Sequence, residues 1–295
     1  MIKAPPTPKG FRDILPEQAS KRREVINTIA NVLEKSGFSP VETPTVEFAE
    51  TLKGKYGEEE KLIYEFSDRG GRDLALRYDL TVPLARFVAS NLKLIERGPF
   101  RRYQIGQVFR GEKPQKGRFR EFTQFDFDVV GSSDVKEDAK VISVVAKCFD
   151  ALGFSNYKIK INDRSLVNGI NPKYLTIIDK LNKIGKEGVI KELKELNAEE
   201  IFKKVSSMEP TQRIVDIMSE YQRMGNSLDN LRFENTLVRG LNYYTGMIFE
   251  VEVEGYGTSV AGGGRYDNLV GSFAKKQIPA VGGSFGIDRL IEALG

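Results

Sequence analysis

The chain has 295 residues, 40% apolar and 10% aromatic, a size that suits roughly two domains of about 150 residues with a packed core. It contains no histidine and one cysteine, which excludes Ser-His-Asp and Cys-His catalysis, histidine or multi-cysteine metal sites and any internal disulfide. Lys and Arg total 45 against 41 acids, so a net charge of +4 permits contact with nucleic acid without arguing for it, and no apolar run suits a membrane span or a secretory leader.

From the N-terminus, Glu17 to Ser36 carries Val25, Ile26, Ile29, Val32 and Leu33 at helical spacing and stops before Gly37, which predicts a helix. Phe38 to Pro44 reads as a short strand closed by proline. Leu62–Phe66 and Asp73–Arg77 flank SDRGGR and read as a hairpin. Thr81 to Asn91 reads as a helix with Pro83 in its first turn, where proline is tolerated. Asp79 stands just before it, as a cap or as a carboxylate for a substrate ammonium, two roles that are compatible.

Arg101 to Gly131 reads as strand, basic loop, strand. Arg110 and Glu112 stand at the loop entrance, with Lys113, Lys116 and Arg118 within it. Side chains alternate faces along a strand, so Arg120, Phe122, Gln124, Asp126 and Asp128 share one face, opposite Phe125, Phe127 and Val129. A purely structural sheet face seldom gathers cations and acids so densely. The pattern suits a cleft that holds a polyanion at one end and a small zwitterion at the other. Val135 to Leu152 reads as a second amphipathic helix, with Cys148 buried in it.

From residue 165 to 232 the chain turns Lys/Glu-rich with helical spacing, as expected of an insertion of solvated helices. Sheet character returns at Asn235–Glu254. RGLNYYTG, residues 239–246, places Arg239, Tyr243 and Tyr244 in a strand setting, and a guanidinium on an apolar strand needs an anionic partner. GGGRYD, residues 262–267, reads either as a tight turn or as a glycine stretch that lets a flat ligand lie directly against backbone, with Arg265 able to reach an anion. FGIDRL starts a last helix carrying Arg289 on its first turns. Neither GxxxxGK[ST] nor a strand-to-helix GxGxxG is present. The strand–loop–strand pieces argue for an α+β fold with an antiparallel sheet flanked by helices, not a doubly wound parallel one.

Taken in order, PKGFRD, VETPTVE, LRYDLTVPLARF, FRGEKPQKGRFREFTQFDFDVVG, LVRGLNYYTG, GGGRYDNLVG and FGIDRL resemble the class II aminoacyl-tRNA synthetases. Within that class they resemble the histidyl-tRNA synthetases of the archaeal/eukaryotic type, over nearly the whole chain. The resemblance implies a class II catalytic domain formed by residues 1–164 and 233–295, interrupted by a helical insertion at 165–232, with the anticodon-binding domain absent. It implies activation of histidine by ATP with Mg2+, transfer to the acceptor end of tRNA(His), no protein metal site, a cytoplasmic location and a homodimer formed through roughly Glu17–Pro44. Carried over by motif position, Arg110 and Arg239 would be catalytic. Arg110 would hold the α-phosphate, Arg118 and Arg289 the outer phosphates, Glu112 the adenine amino group and Phe122 the adenine ring. Asp79, Thr81 and Gln124 would grip the α-amino group, and Arg239, Tyr243, Tyr244 and Asp128 would complete the histidine site. Gln115 and Lys116 would face the tRNA. Asn242 stands where the family carries aspartate, which leaves Arg239 less firmly oriented. Two alternatives share the fold: a regulatory subunit of ATP phosphoribosyltransferase, and an amino-acid ligase acting on a different acceptor.

Overall fold

The computed structural model describes residues 5–115, 118–238 and 243–295. In chain order the elements are α1 (Pro16–Lys35), β1 (Ser39–Pro40), β2 (Val46–Phe48), α2 (Ala49–Leu52), β3 (Glu65–Ser67), β4 (Asp73–Leu76), α3 (Thr81–Ser90), β5 (Phe100–Phe109), β6 (Glu121–Val130), α4 (Val135–Ala151) and β7 (Tyr157–Asp163). The helices α5 (Pro172–Ile178), α6 (Leu181–Lys194), α7 (Glu199–Ser206) and α8 (Gln212–Arg223) follow. Then come β8 (Leu231–Phe233), β9 (Met247–Val253), β10 (Ser259–Arg265), α9 (Gly271–Ala274), β11 (Ala280–Gly286) and α10 (Ile287–Ala293).

An eight-stranded sheet runs β1-β5-β6-β11-β10-β9-β7-β8, and β2-β4-β3 form a small antiparallel sheet beside it. Among the described residues only the outermost pairs of the large sheet, β1 with β5 and β7 with β8, are parallel. The predicted α+β architecture is thus the observed one. Register places even-numbered residues together on one face. One row reads Gln104, Asp126, Ser284, Gly262, Glu250 and Lys160; the next reads Arg102, Asp128, Gly282, Gly264, Ile248 and Asn162. The odd face is the core. Phe125, Phe127, Val129, Phe249 and Phe285 pack there against buried residues of α1, α4, α8 and α10. Phe127 and Phe285 stack at 5.3 Å, and Phe38 meets Phe127 edge-on at 5.9 Å.

Several local expectations change. The helix expected from Glu17 forms with Pro16 at its N-terminus, buries Val25, Ile29 and Leu33, and ends at Gly37, whose φ of +86° suits only glycine without strain. The strand expected over Phe38–Pro44 shrinks to two residues plus one further bond, Val41 N–H to Tyr103 O, because prolines 40 and 44 cannot donate to a ladder. Tyr243 and Tyr244 lie in the turn that leads into β9, which starts at Met247, and not in a strand.

GGGRYD is not a turn: its first four residues are the end of β10, a central strand between β9 and β11. A Cβ on Gly263 would fall 2.1 Å from Gly282 O, so the strand pair closes only over glycine. Arg265, being odd, emerges on the core face. There its Nη2 pairs with Asp138 Oδ1 of α4 at 2.7 Å and its Nη1 with Asp267 at 3.0 Å. It is therefore a buried structural cation and does not reach an anion on the opposite face.

The segment 165–232 divides into two situations. Val167, Leu175, Val189, Leu193, Phe202 and Val205 form an apolar cluster of their own within and beside α5–α7. Helix α8 instead puts Ile214, Ile217 and Tyr221 into the main core, and β8 extends the large sheet. Arg213 of α8 shares Asp138 with Arg265, which fastens α8 to α4.

Candidate active site

Between the even face of the large sheet and helices α5 and α6 lies a cavity of about 1450 Å³. Its floor is bare because Gly262 and Gly286 carry no side chains there, and Gln124 and Ser284 rise from β6 and β11 beside them. Arg110, Glu112, Arg118, Phe122, Tyr244 and Arg289 also line it, so the cavity brings together seven of the predicted residues, Gln124 included, from three separate stretches of chain. Lys173, Thr176 and Lys180 close it from the insertion side.

One end is cationic. The Arg110 guanidinium lies 4.3 Å from the Tyr78 ring centre and 5.1 Å from that of Phe122, while its Nε donates to Tyr78 O at 3.2 Å. Arg118 faces Glu112 at 3.5 Å, a loose pairing that leaves donors for another anion. Arg289 donates to Ser259 O at 2.8 Å. Its pKa is pushed down first by burial, with Arg118 and Arg110 adding repulsion. Three cations that repel one another across a cavity are what a polyphosphate would neutralise. The start of α10 is held by Asp288, which accepts from both Arg12 and Arg22, and Arg22 also donates to Thr123 Oγ1 at 2.6 Å. The Asp288–Arg289 pair is therefore part of the site wall, not a solvated surface couple.

The other end is acidic and more deeply buried. Asp79 is 1% exposed; its Oδ1 accepts from Thr81 N–H at 3.2 Å, Val82 N–H at 3.0 Å and the Tyr56 hydroxyl at 2.9 Å. It thus caps α3 as the sequence suggests. Burial raises its pKa, opposed by the Val82 N–H, the Tyr56 hydroxyl and Arg110. Tyr56, a cavity-lining residue, packs against Tyr78 with ring centres 4.6 Å apart and planes tilted by 46°, and the Tyr243 hydroxyl lies 3.5 Å from Asp79 Oδ2. Thr81 Oγ1 donates to Asp126 Oδ2 at 3.5 Å. Gln124 Nε2 donates to Ser284 Oγ at 3.2 Å, leaving Gln124 Oε1 without a partner among the described residues.

Asp128 sits one row beyond the cavity floor. Its Oδ2 lies 2.6 Å from Arg102 Nη2, an ion pair not aligned as a hydrogen bond, and its Oδ1 accepts from the Tyr266 hydroxyl. Burial raises its pKa and Arg102 opposes most strongly. Asp79, Thr81, Tyr243 and Asp128 are thus packed at the acidic end without lining the cavity. Gln115 is exposed in the basic loop, its carbonyl accepting from Arg118 N–H at 2.9 Å. Arg239, Asn242 and Lys116 lie outside the described residues.

Sequence reasoning missed Tyr56, Arg102, Ser284 and, as a site residue, Asp126. Asp126 was visible as one of the even positions of β6; nothing local marks Tyr56 or Arg102, which are brought in from distant stretches. Among the described residues no group of three acids or cysteines is placed to hold a metal ion.

Comparison with known proteins places the chain in a family. A family model described as histidyl-tRNA synthetase matches residues 10–200 and 164–290. A histidine–tRNA ligase from Aeropyrum pernix is 45% identical, over 98% of this chain and 74% of its own length. The crystal structure of histidyl-tRNA synthetase from Nostoc sp. PCC 7120 superposes with a TM-score of 0.84 at 29% identity, covering 100% of this chain and 76% of that one. A Bacillus halodurans structure described as an ATP phosphoribosyltransferase regulatory subunit/histidyl-tRNA synthetase also gives 0.84, at 26% identity and 100% and 84% coverage.

Proposed function

Because this chain belongs to the histidyl-tRNA synthetase family, we propose that it is a histidine–tRNA ligase that works through the cavity just described. The reading rests on one observation above others: Arg110, Arg118 and Arg289 surround a single cavity whose far end is built from buried carboxylates. In the first step a carboxylate oxygen of histidine attacks the α-phosphorus of ATP, the bond to the bridging oxygen breaks and pyrophosphate leaves. In the second, a terminal hydroxyl of tRNA(His) attacks the adenylate carbonyl and AMP departs.

The obstacle in the first step is an anion approaching a triphosphate. Cations fixed beforehand and correct placement are the help it needs, and neither requires a histidine side chain. Arg110 is the α-phosphate ligand in this reading, held flat between Tyr78 and Phe122. Arg118 and Arg289 take the outer phosphates, Phe122 and Glu112 the adenine, and Arg239 the substrate carboxylate beside the α-phosphate. Asp79, Thr81, Gln124 and Tyr243 receive the α-amino group. Asp128 and Tyr244 form the end that the imidazole faces. Gln115 and Lys116, in the loop beside Arg118, meet the tRNA through phosphate contacts. No protein cage for Mg2+ exists among the described residues, so the ion would arrive on the nucleotide phosphates and no step is routed through it.

We place the enzyme in the cytoplasm; no helix among the described residues is long and apolar enough to cross a membrane. The exposed Val46, Phe48 and Phe66 of the small sheet give a second copy an apolar face to cover.

Histidine-dependent exchange between pyrophosphate and ATP tests the reading. The unmodified protein should exchange with histidine and not with other amino acids, and Arg110→Ala should lower the rate by about 10²–10³-fold, the usual cost of deleting one fixed charge-stabilising donor. Absence of exchange, together with binding to a phosphoribosyltransferase subunit, would favour the regulatory reading. Against that reading, a regulator has no need for three arginines around one nucleotide-sized cavity.

A further inference from the structure

Residues 8–13, PKGFRD, lie ahead of α1 and have no part in the ligase reading, yet they are fastened to the cationic end of the cavity. Phe11 N–H donates to Pro8 O at 3.0 Å, and the turn so made presents the Gly10 carbonyl to Arg120 N–H at 2.9 Å. Arg120 completes the join: its Nε donates to Glu112 O at 3.0 Å and its Nη1 to Lys9 O at 3.4 Å. Glu112 and Arg120, which bracket the basic loop, are thus tied to each other and to this segment. Arg12 then reaches two places at once. Its guanidinium carbon lies 3.6 Å from the centre of the Phe119 ring, and its Nη2 donates to Asp288 Oδ1. Phe119 is the chain neighbour of Arg118, and Asp288 that of Arg289; all four line the cavity, and Arg12 does not.

Resting on the ligase reading, we propose that Arg12 is a positioning residue for the nucleotide, tying the loop that carries Arg118 to the helix start that carries Arg289 and so setting the spacing of the two guanidinium groups that take the outer phosphates. Arg118 repels Arg289, so their separation has to be imposed by the chain that bears them. Fixed charge helps a phosphate only where its placement is right beforehand. The same contact also masks an acid. Asp288 would otherwise stand as an uncompensated anion on the wall that the phosphates approach; Arg12 and Arg22, neither of which lines the cavity, neutralise it. Arg110, Glu112 and Phe122, which hold the α-phosphate and the adenine in this reading, do not depend on the tie between Phe119 and Asp288.

The test is calorimetric binding of ATP, AMP and histidine to the unmodified protein, to Arg12→Ala and to Arg12→Lys, with pyrophosphate exchange alongside. Arg12→Ala should weaken ATP about tenfold. It should leave AMP, which lacks the outer phosphates, and histidine within twofold. In exchange, the KM for ATP should rise by a similar factor while the KM for histidine stays within twofold. Arg12→Lys keeps a charge for Asp288 and should bind ATP at least threefold more tightly than the alanine variant. A merely structural role would weaken all three ligands alike; that result, or ATP affinity retained within twofold, overturns the proposal. A lysine variant no better than the alanine one overturns it equally. If the unmodified protein shows no histidine-dependent exchange, the ligase reading itself fails; if it exchanges and Arg12→Ala keeps its ATP affinity, only the role of Arg12 fails.

Discussion

Asp126 gives the fold a pH-dependent contribution to stability. Burial lifts its carboxyl to about 7, with Arg102 opposing and Asp128 adding to the rise. The unfolded chain would titrate this group near roughly 3.9. The folded protein therefore holds a proton that the unfolded chain has already released over that interval. Stability from this group is full below about pH 4 and is lost as pH rises towards 7, with a limiting slope of about 1.4 kcal/mol per pH unit. Urea denaturation between pH 4.5 and 7.5 should show that Asp126→Asn flattens this decline. An unaltered slope would mean that the acid is ionised in the folded protein throughout. At this scale the sequence was informative about parity and silent about partners. The alternation of β6 correctly put Phe122, Gln124, Asp126 and Asp128 on one face. It could not say that Arg102, on a neighbouring strand, had already claimed Asp128. Pairing across strands depends on register, and register is fixed by the whole sheet.

At the scale of elements, the glycines of β10 and β11 decide whether the sheet can accommodate an acid at all. Gly282 lies directly opposite Asp128, and a Cβ there would stand 1.9 Å from Asp128 Oδ1. Gly282→Ala should push that carboxylate off Arg102 and cost about 1–3 kcal/mol in overpacking before the loss of the ion pair is counted. Chemical denaturation should record the loss, and histidine-dependent exchange should fall with it. Wild-type stability and activity would show that the carboxylate has another place to go. Here the sequence misled. Three consecutive glycines have the composition of a turn, and local propensity contains no term for a strand forced to lie against another backbone. The same error misplaced Arg265: once 262–265 is a strand, parity sends that arginine to the α4 side, where Asp138 receives it. By contrast, the helices α1, α3 and α4 were legible within one or two residues, because an apolar stripe agrees with a terminal signal in each: Pro16 and Gly37 around α1, Asp79 before α3, and Asp134 before α4.

For the molecule as a whole, α5–α7 form a small second core beside the main one, and the cavity is closed on one side by α5 and α6. Regions that share few apolar contacts with the rest open separately. Leu193→Ala, which truncates a fully buried side chain of that smaller core, should cost about 2–5 kcal/mol locally. Hydrogen exchange should then accelerate at residues 172–206 while β5, β6 and β11 keep their protection. Uniform acceleration across both regions would show one cooperative unit. α8 should follow the sheet and not its sequence neighbours, since Ile214 and Ile217 belong to the main core and Arg213 is tied to Asp138. The change of composition at residue 165 marks where the Lys/Glu-rich helices begin; it could not announce where the chain rejoins the core, because α8 is an amphipathic charged helix like α6 and α7 before it.

The acidic end of the cavity can be interrogated in a way that few amino-acid sites allow. The chain has no histidine of its own, so in a solution of protein and 15N-labelled histidine every imidazole resonance belongs to the ligand. The tautomer of the bound ring, and which nitrogen shares its proton with a carboxylate, could be read directly from nitrogen chemical shifts. No background signal would need to be assigned or subtracted first.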